Sequence, residues 1–139
     1  MKKQCIIIFL MYLLVLPSFF VLNAKNTEED KFVVYYFHGN KRCFSCNKIE
    51  ALSNEAIQKY FAKELQQGQI EWKVINIDKS ENKHFIDDFQ LYTKSLIVSK
   101  QSKSKVIRWK NLKNIWILLN DQTKFYDYVH DEMISFMKE

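Results

Sequence analysis

Residues 31–38 read KFVVYYFH, six consecutive apolar or aromatic residues between a lysine and a histidine. A strand with one wet face alternates polar and apolar residues, whereas this run barely alternates. It reads as a strand covered on both faces, which requires a layer of structure on each side of its sheet. A chain of 139 residues has material for one such domain. With two Gly and one Pro, it is built of regular elements on short connections.

From Phe44 to Gln67 the apolar residues Ile49, Leu52, Ala56, Tyr60, Phe61 and Leu65 recur at helical spacing, and Gly68 stands where a helix terminator belongs. Ile70–Ile77 alternates well enough for a second strand. SENKHFIDDFQLY reads as a short amphipathic helix with Ser80 as N-cap and Phe85 and Phe89 at i,i+4. Ser95–Ser99 and Val106–Trp109 are a third and fourth strand, joined by the polar hairpin link KQSKSK. Leu112–Leu119 and Thr123–Met137 read as helix, with Asp121 a cap between them. The order β-α-β-α-β-β-α begins with a right-handed βαβ unit on a parallel strand pair and ends in a hairpin closed by a helix. That is an α/β sandwich of one sheet between helices.

The first 24 residues stand apart. Lys2 and Lys3 precede an uncharged apolar run over residues 5–22, and LNA at 22–24 offers a cleavage point ahead of KNTEEDK. This reads as a secretory signal peptide over residues 1–24, with residues 25–139 as the exported domain. An uncleaved membrane tether through residues 5–22 is the other reading. Without Lys2 and Lys3 the 21 Lys and Arg become 19, against 16 acidic residues, a net charge of +3. So mild a charge on an exported domain points to a solvated surface and no nucleic-acid partner.

Two of the three cysteines, Cys43 and Cys46, lie in NKRCFSCNK at the start of the long helix. At i and i+3 their Cα atoms fall roughly 5–6 Å apart, within disulfide range. A thiol at a helix N-terminus meets unpaired backbone N–H groups and the positive end of the dipole. Lys41 and Arg42 add positive charge. Such settings lower a cysteine pKa from about 8.5 into the range of roughly 3.5–7.5. Cys43, at the exposed tip, is then the nucleophile, and Cys46, one turn down, the resolving thiol. A zinc site wants four ligands, and His38, His84 and His130 are scattered, so no metal site is expected. Two thiolates holding Cu(I) or trivalent arsenic, and a static staple, remain alternatives to redox cycling. Glu50, four residues after Cys46, is either a solvated helix residue or a proton acceptor for it.

A buried strand leading to C-x-x-C at the head of a long helix, with VINID on the next strand, resembles the thioredoxin fold, a three-layer sandwich on a four-stranded mixed sheet. The longer strings VVYYFHGNKRCFSCNKIEALSNEAI, LYTKSLIV and RWKNL resemble a narrower family, the nitrophenyl-compound nitroreductase subunit ArsF family of exported bacterial proteins. That resemblance implies a dithiol role in reducing nitroaromatic compounds and nitroaryl arsenicals. It also implies a membrane thiol carrier and a redox partner protein as partners. The alternatives are a metal or metalloid chaperone and a structural subunit on this scaffold. Nothing resembles a flavin or dinucleotide fingerprint, so no cofactor is expected, and Trp72, Phe85, Phe89 and Tyr92 read as core.

The chain departs from ordinary thioredoxins in two ways. The residues between the cysteines are Phe44 and Ser45, and relatives differing in this dipeptide span roughly −270 to −120 mV in potential. Beyond residue 24 there is no proline, so the proline that faces the cysteines is replaced by Lys94, or by Ser95 in a shifted register. A cis bond without proline costs about 2.5–4 kcal/mol, so a trans peptide is expected there. Arg42 and Lys94 are the expected modulators of the thiolate.

Overall fold

The computed structural model describes residues 30–139. The apolar run, the cleavage point and Cys5 lie outside the described residues. β1 (Lys31–His38) has the expected bounds, and its residues 33–38 are all buried. β2 (Ile70–Asn76) runs parallel to it, from Phe32↔Ile70 to His38↔Asn76. β3 (Ser95–Ser102) runs antiparallel on its other side, and β4 (Lys105–Asn111) is antiparallel to β3 at the edge. The sheet order is β2-β1-β3-β4. The hairpin strands are longer than KQSKSK suggested, because only Lys103 and Ser104 make the turn. Both take left-handed backbone angles, φ 49° and 61°, as a two-residue hairpin matched to the strand twist requires.

α1 (Phe44–Tyr60) and α4 (Gln122–Lys138) cover one face of the sheet. Ile49, Leu52, Ala56 and Ile57 of α1 and Phe125, Val129, Met133 and Phe136 of α4 share a core with Val34, Tyr36, Leu96 and Val98. Asp121 caps α4, accepting the Lys124 backbone N–H at 3.1 Å. The other face carries α3 (His84–Asp88) and the smaller cluster of Val33, Tyr35, Phe37, Phe89, Leu91 and Ile97. Among the described residues, the hydrophobic cluster on the α1/α4 side has sixteen buried members and that on the α3 side six. The helix that carries the cysteines therefore packs in the larger cluster. The result is the expected thioredoxin-like three-layer sandwich.

Three helices depart from expectation. The stretch 44–67 is two helices, with α2 (Ala62–Gln66) following a break at Phe61, φ −127°. The break lets Phe61 bury in the α1/α4 core, and Gly68 ends the segment at φ +72° as read. Ser80 does not cap a helix. It opens a 3₁₀ turn (Ser80–Asn82), its hydroxyl meets Glu81, and α3 is only five residues long. Leu112–Leu119 is a 3₁₀ turn (Lys113–Ile115) followed by further turns. The Leu112 N–H is held by the Leu96 carbonyl at 2.9 Å, which keeps the chain on the sheet through the point where a helix would start. None of the described helices is long and apolar enough to cross a membrane.

Candidate functional site: a disulfide at a helix N-terminus

β1 ends at His38, and five residues later Cys43 takes the N-cap position of α1 with extended backbone angles, φ −82° and ψ 168°. Its carbonyl accepts the Asn47 N–H at 3.1 Å, the first bond of the helix. Its Sγ accepts the Cys46 N–H at 3.2 Å, satisfying one of the N–H groups that a helix start leaves without partners. Cys43 and Cys46 form a disulfide with Cα atoms 5.1 Å apart. Cys43 is thus the cap of the first turn, with only Cys46 inside it. The asymmetry read from the sequence is present: Cys43 is exposed and Cys46 is buried.

Below the disulfide, the fully buried Tyr36 of β1 donates its hydroxyl to the Cys46 carbonyl at 2.7 Å. This bond ties the first turn of α1 to the central strand. Burial pushes the Tyr36 phenol up to about 12; Arg42 opposes that rise and Glu50 adds to it. Both charges act on the phenol, and they are bonded to each other, the Arg42 guanidinium donating to the Glu50 carboxylate. The charge expected to act on Cys43 is therefore shared with Glu50, and Glu50 is not a merely solvated helix residue. His38 stacks on Tyr36, ring centroids 6.2 Å apart, and its Nδ1 donates to the Gly39 carbonyl at 2.9 Å.

The loop between β1 and α1 is clasped to the loop after β2. The Asn40 N–H donates to Asp78 Oδ2 at 2.6 Å, and the Asn76 amide donates to Asn40 Oδ1 at 2.8 Å. Asp78 in turn donates its N–H to Asn76 Oδ1 at 3.0 Å. Gly39 leaves room for this clasp, because a Cβ there would stand 2.8 Å from Asp78 Oδ2 and push the carboxylate aside. Tyr36, Asn40, Asn76 and Asp78 were not singled out from the sequence. Asn40 and Asp78 carry a weak signal, since both follow neighbouring parallel strands at the same end of the sheet.

Phe37 pairs with Ser95, so Lys94 lies at the cysteine end, one position before β3. Its carbonyl accepts the Trp116 indole N–H at 3.2 Å. Lys94 lines a hollow of about 460 Å³ with His38, Lys41 and Asp78. No peptide bond among the described residues is cis. The aromatic residues read as core divide. Trp72 packs on the α1/α4 side, Phe85 and Phe89 pack on the α3 side, and Tyr92 is 96% exposed. Tyr92 is a correction: it follows the sharp turn at Gln90, φ 50°, which turns the chain out of α3. Among the described residues no cluster of three or more His, Cys, Asp and Glu is placed to hold a metal ion.

A mixed sheet ordered β2-β1-β3-β4, with helices on both faces and a C-x-x-C disulfide at the head of α1, is the arrangement of the thioredoxin-like fold. No protein-family model matches the chain, and no curated protein matches it. Among solved structures it is similar to thioredoxin O2 from Arabidopsis thaliana in its oxidized state, at 14% identity and a TM-score of 0.41 over 69% of this chain and 76% of that one. It is also similar to thioredoxin-2 of the malaria parasite, a component of that organism's protein secretion machinery, at 19% identity and a TM-score of 0.38 over 60% and 71% of the two chains.

Proposed function

We propose that the chain is an exported thiol–disulfide oxidoreductase that works as a reductant. The observation that carries this reading is the exposed Cys43 sulfur at the N-cap of α1, bonded to the buried Cys46. In the reduced protein the Cys43 thiolate attacks one sulfur of a partner disulfide, R–S–S–R′. A Cys43–S–S–R bond forms and R′S⁻ leaves, taking the Cys46 proton. The Cys46 thiolate then attacks Cys43 Sγ, the Cys43–Cys46 bond forms, and RS⁻ departs. Two electrons have moved from the protein to the partner. A membrane thiol carrier restores the dithiol by the reverse exchange. The sequence resemblance to the ArsF family supports nitroaromatic or arsenical reduction as the electrons' destination, reached through a redox partner protein. Export rests on the signal-peptide pattern of residues 1–24.

The test is a trapping experiment. Cys46→Ser in the full chain accumulates a mixed disulfide on Cys43 that reductant releases, and Cys43→Ser accumulates none. If both variants support reduction of a partner as well as the unmodified protein, the exchange reading is wrong. Stoichiometric Cu(I) or trivalent arsenic retained by the reduced protein, without disulfide reduction, would make it a metal or metalloid chaperone instead.

A further inference from the structure

The α3 side of the sheet holds a cavity of about 510 Å³ that the exchange chemistry does not use. Its walls are Phe89, Tyr92, Trp109 and Trp116. Phe89 and Trp109 meet edge to face, centroids 5.6 Å apart. The Trp116 N–H bond to the Lys94 carbonyl holds that ring beside the turn before β3. Ser95 and Asn111 supply the polar lining; the Asn111 amide donates to Ser95 Oγ at 3.5 Å, and that hydroxyl donates to the Thr93 carbonyl at 2.9 Å. Cavities of this size and character bind one compact apolar group oriented by a few polar atoms.

Two observations say what covers it. Tyr92 and Thr93 line both this cavity and the hollow that contains Gly39, Asn40 and Lys41, the residues leading to Cys43. The two depressions therefore adjoin, with Tyr92 and Thr93 as the rib between them, and the smaller one reaches the residues that precede Cys43. Alternate residues of an extended peptide stand roughly 6.6 Å apart, so side chains two positions apart can drop on either side of such a rib. The second observation is charge. No Asp or Glu lines the larger cavity. Lys110 is paired with Glu132, but Lys113, Lys94 and Lys41 have no ion-pair partner among the described residues. Asp78, which accepts the Asn40 N–H, is the one carboxylate among the residues that line the smaller hollow, against Lys41 and Lys94.

We propose that the Trp109–Trp116 cavity is an anchor site for a bulky apolar side chain on an acidic segment of the partner protein whose disulfide Cys43 attacks. It rests on the exchange reading and names the kind of partner that reading requires. The anchor holds the partner's disulfide over the Cys43 loop, and Lys113, Lys94 and Lys41 select the acidic flanks.

The test uses the reduced full chain and synthetic peptides, each carrying one cysteine as a mixed disulfide with glutathione. The peptides place Phe or Ala two to five residues from the cysteine, with Glu or Lys flanks. At one spacing the Phe–Glu peptide is expected to react at least tenfold faster in kcat/KM than its Ala–Glu and Phe–Lys counterparts. Trp116→Ala should bring the Phe/Ala ratio close to one. Lys113→Glu, an exposed change at the rim, should shrink or invert the Glu/Lys ratio. Equal rates across the peptides, or a Phe preference that survives Trp116→Ala, would overturn the proposal. So would N-acetyl-phenylalanine binding as tightly as the peptides, which would make the cavity a small-molecule site. If bis(2-hydroxyethyl) disulfide is not reduced either, the exchange reading itself fails, and the anchor falls with it.

Discussion

The Cys43 sulfur has two jobs, half of the disulfide and cap of α1, and they can be separated. Cys43→Ser and Cys43→Ala both remove the disulfide, but only Ala removes an acceptor for the Cys46 N–H, now held at 3.2 Å by Cys43 Sγ. Ser is among the best N-cap residues and Ala among the poorest. The exchange costs about 0.5–2 kcal/mol, with ~1 kcal/mol typical. α1 packs in the larger core, so a frayed first turn is felt by the whole domain. For a domain of about 110 residues the unfolding entropy is roughly 0.23 kcal/mol per degree, and 1 kcal/mol corresponds to about 4 °C in Tm. The assay is thermal unfolding followed by circular dichroism, with both variants in reducing buffer at the same pH. The Ala variant should melt about 4 °C below the Ser variant. If the two melt within about 1 °C of each other, the cap is not held by residue 43. The same geometry has a chemical counterpart, since a thiolate is a stronger acceptor than a hydroxyl. In reduced Cys46→Ser, titration of the thiolate absorbance at 240 nm should put Cys43 below the free-cysteine value of about 8.5.

Three further outcomes follow from the same site. The Tyr36 phenol ionises near 10 in an unfolded chain and at about 12 in the folded one. Between those values the unfolded state alone loses the proton, so stability falls as pH rises through that window. Tyr36→Phe should flatten the decline in urea midpoint from pH 10 to 12, and an unchanged slope would place its hydroxyl outside the core. Gly39→Ala drives a Cβ against Asp78 Oδ2 and displaces the carboxylate from the Asn40 N–H. That should cost about 1 kcal/mol in urea unfolding and less in an Asp78→Ala background; equal costs in both would refute the clasp. Finally, iodoacetamide added just after reduction should modify Cys43 well before Cys46, as mass spectrometry of tryptic peptides would show, because Cys43 is exposed and Cys46 buried.

What could be read from the sequence was whatever depends on neighbours along the chain. β1 was legible to the residue because an unbroken apolar run bounded by Lys31 and His38 has one good solution. The unequal exposure of Cys43 and Cys46 was legible because three residues at a helix start place one sulfur at the tip and the other a turn inside. Where tertiary contacts outweigh local pattern, the reading failed. Phe61 breaks a helix that its neighbours would continue, since burying its ring outweighs one regular turn. Leu112–Leu119 has helical composition, yet the Leu96 carbonyl holds Leu112 to the sheet.

The same distinction explains the surroundings of the disulfide. Tyr36 reaches Cys46 across ten residues and Asp78 reaches Asn40 across thirty-eight; no local period marks either. Both contacts follow once β1 and β2 are parallel and adjacent, because that arrangement puts the loops after His38 and Asn76 at one end of the sheet. The inequality of the two sulfurs then has a structural cause beyond their spacing. α1 must pack its apolar face on β1, and the Tyr36 hydroxyl meets the carbonyl of Cys46. The turn is therefore anchored through the buried cysteine, while Cys43 stays at the tip. An oxidoreductase on this scaffold needs such a division, with one sulfur free to meet a partner and the other held where it can close the bond behind it.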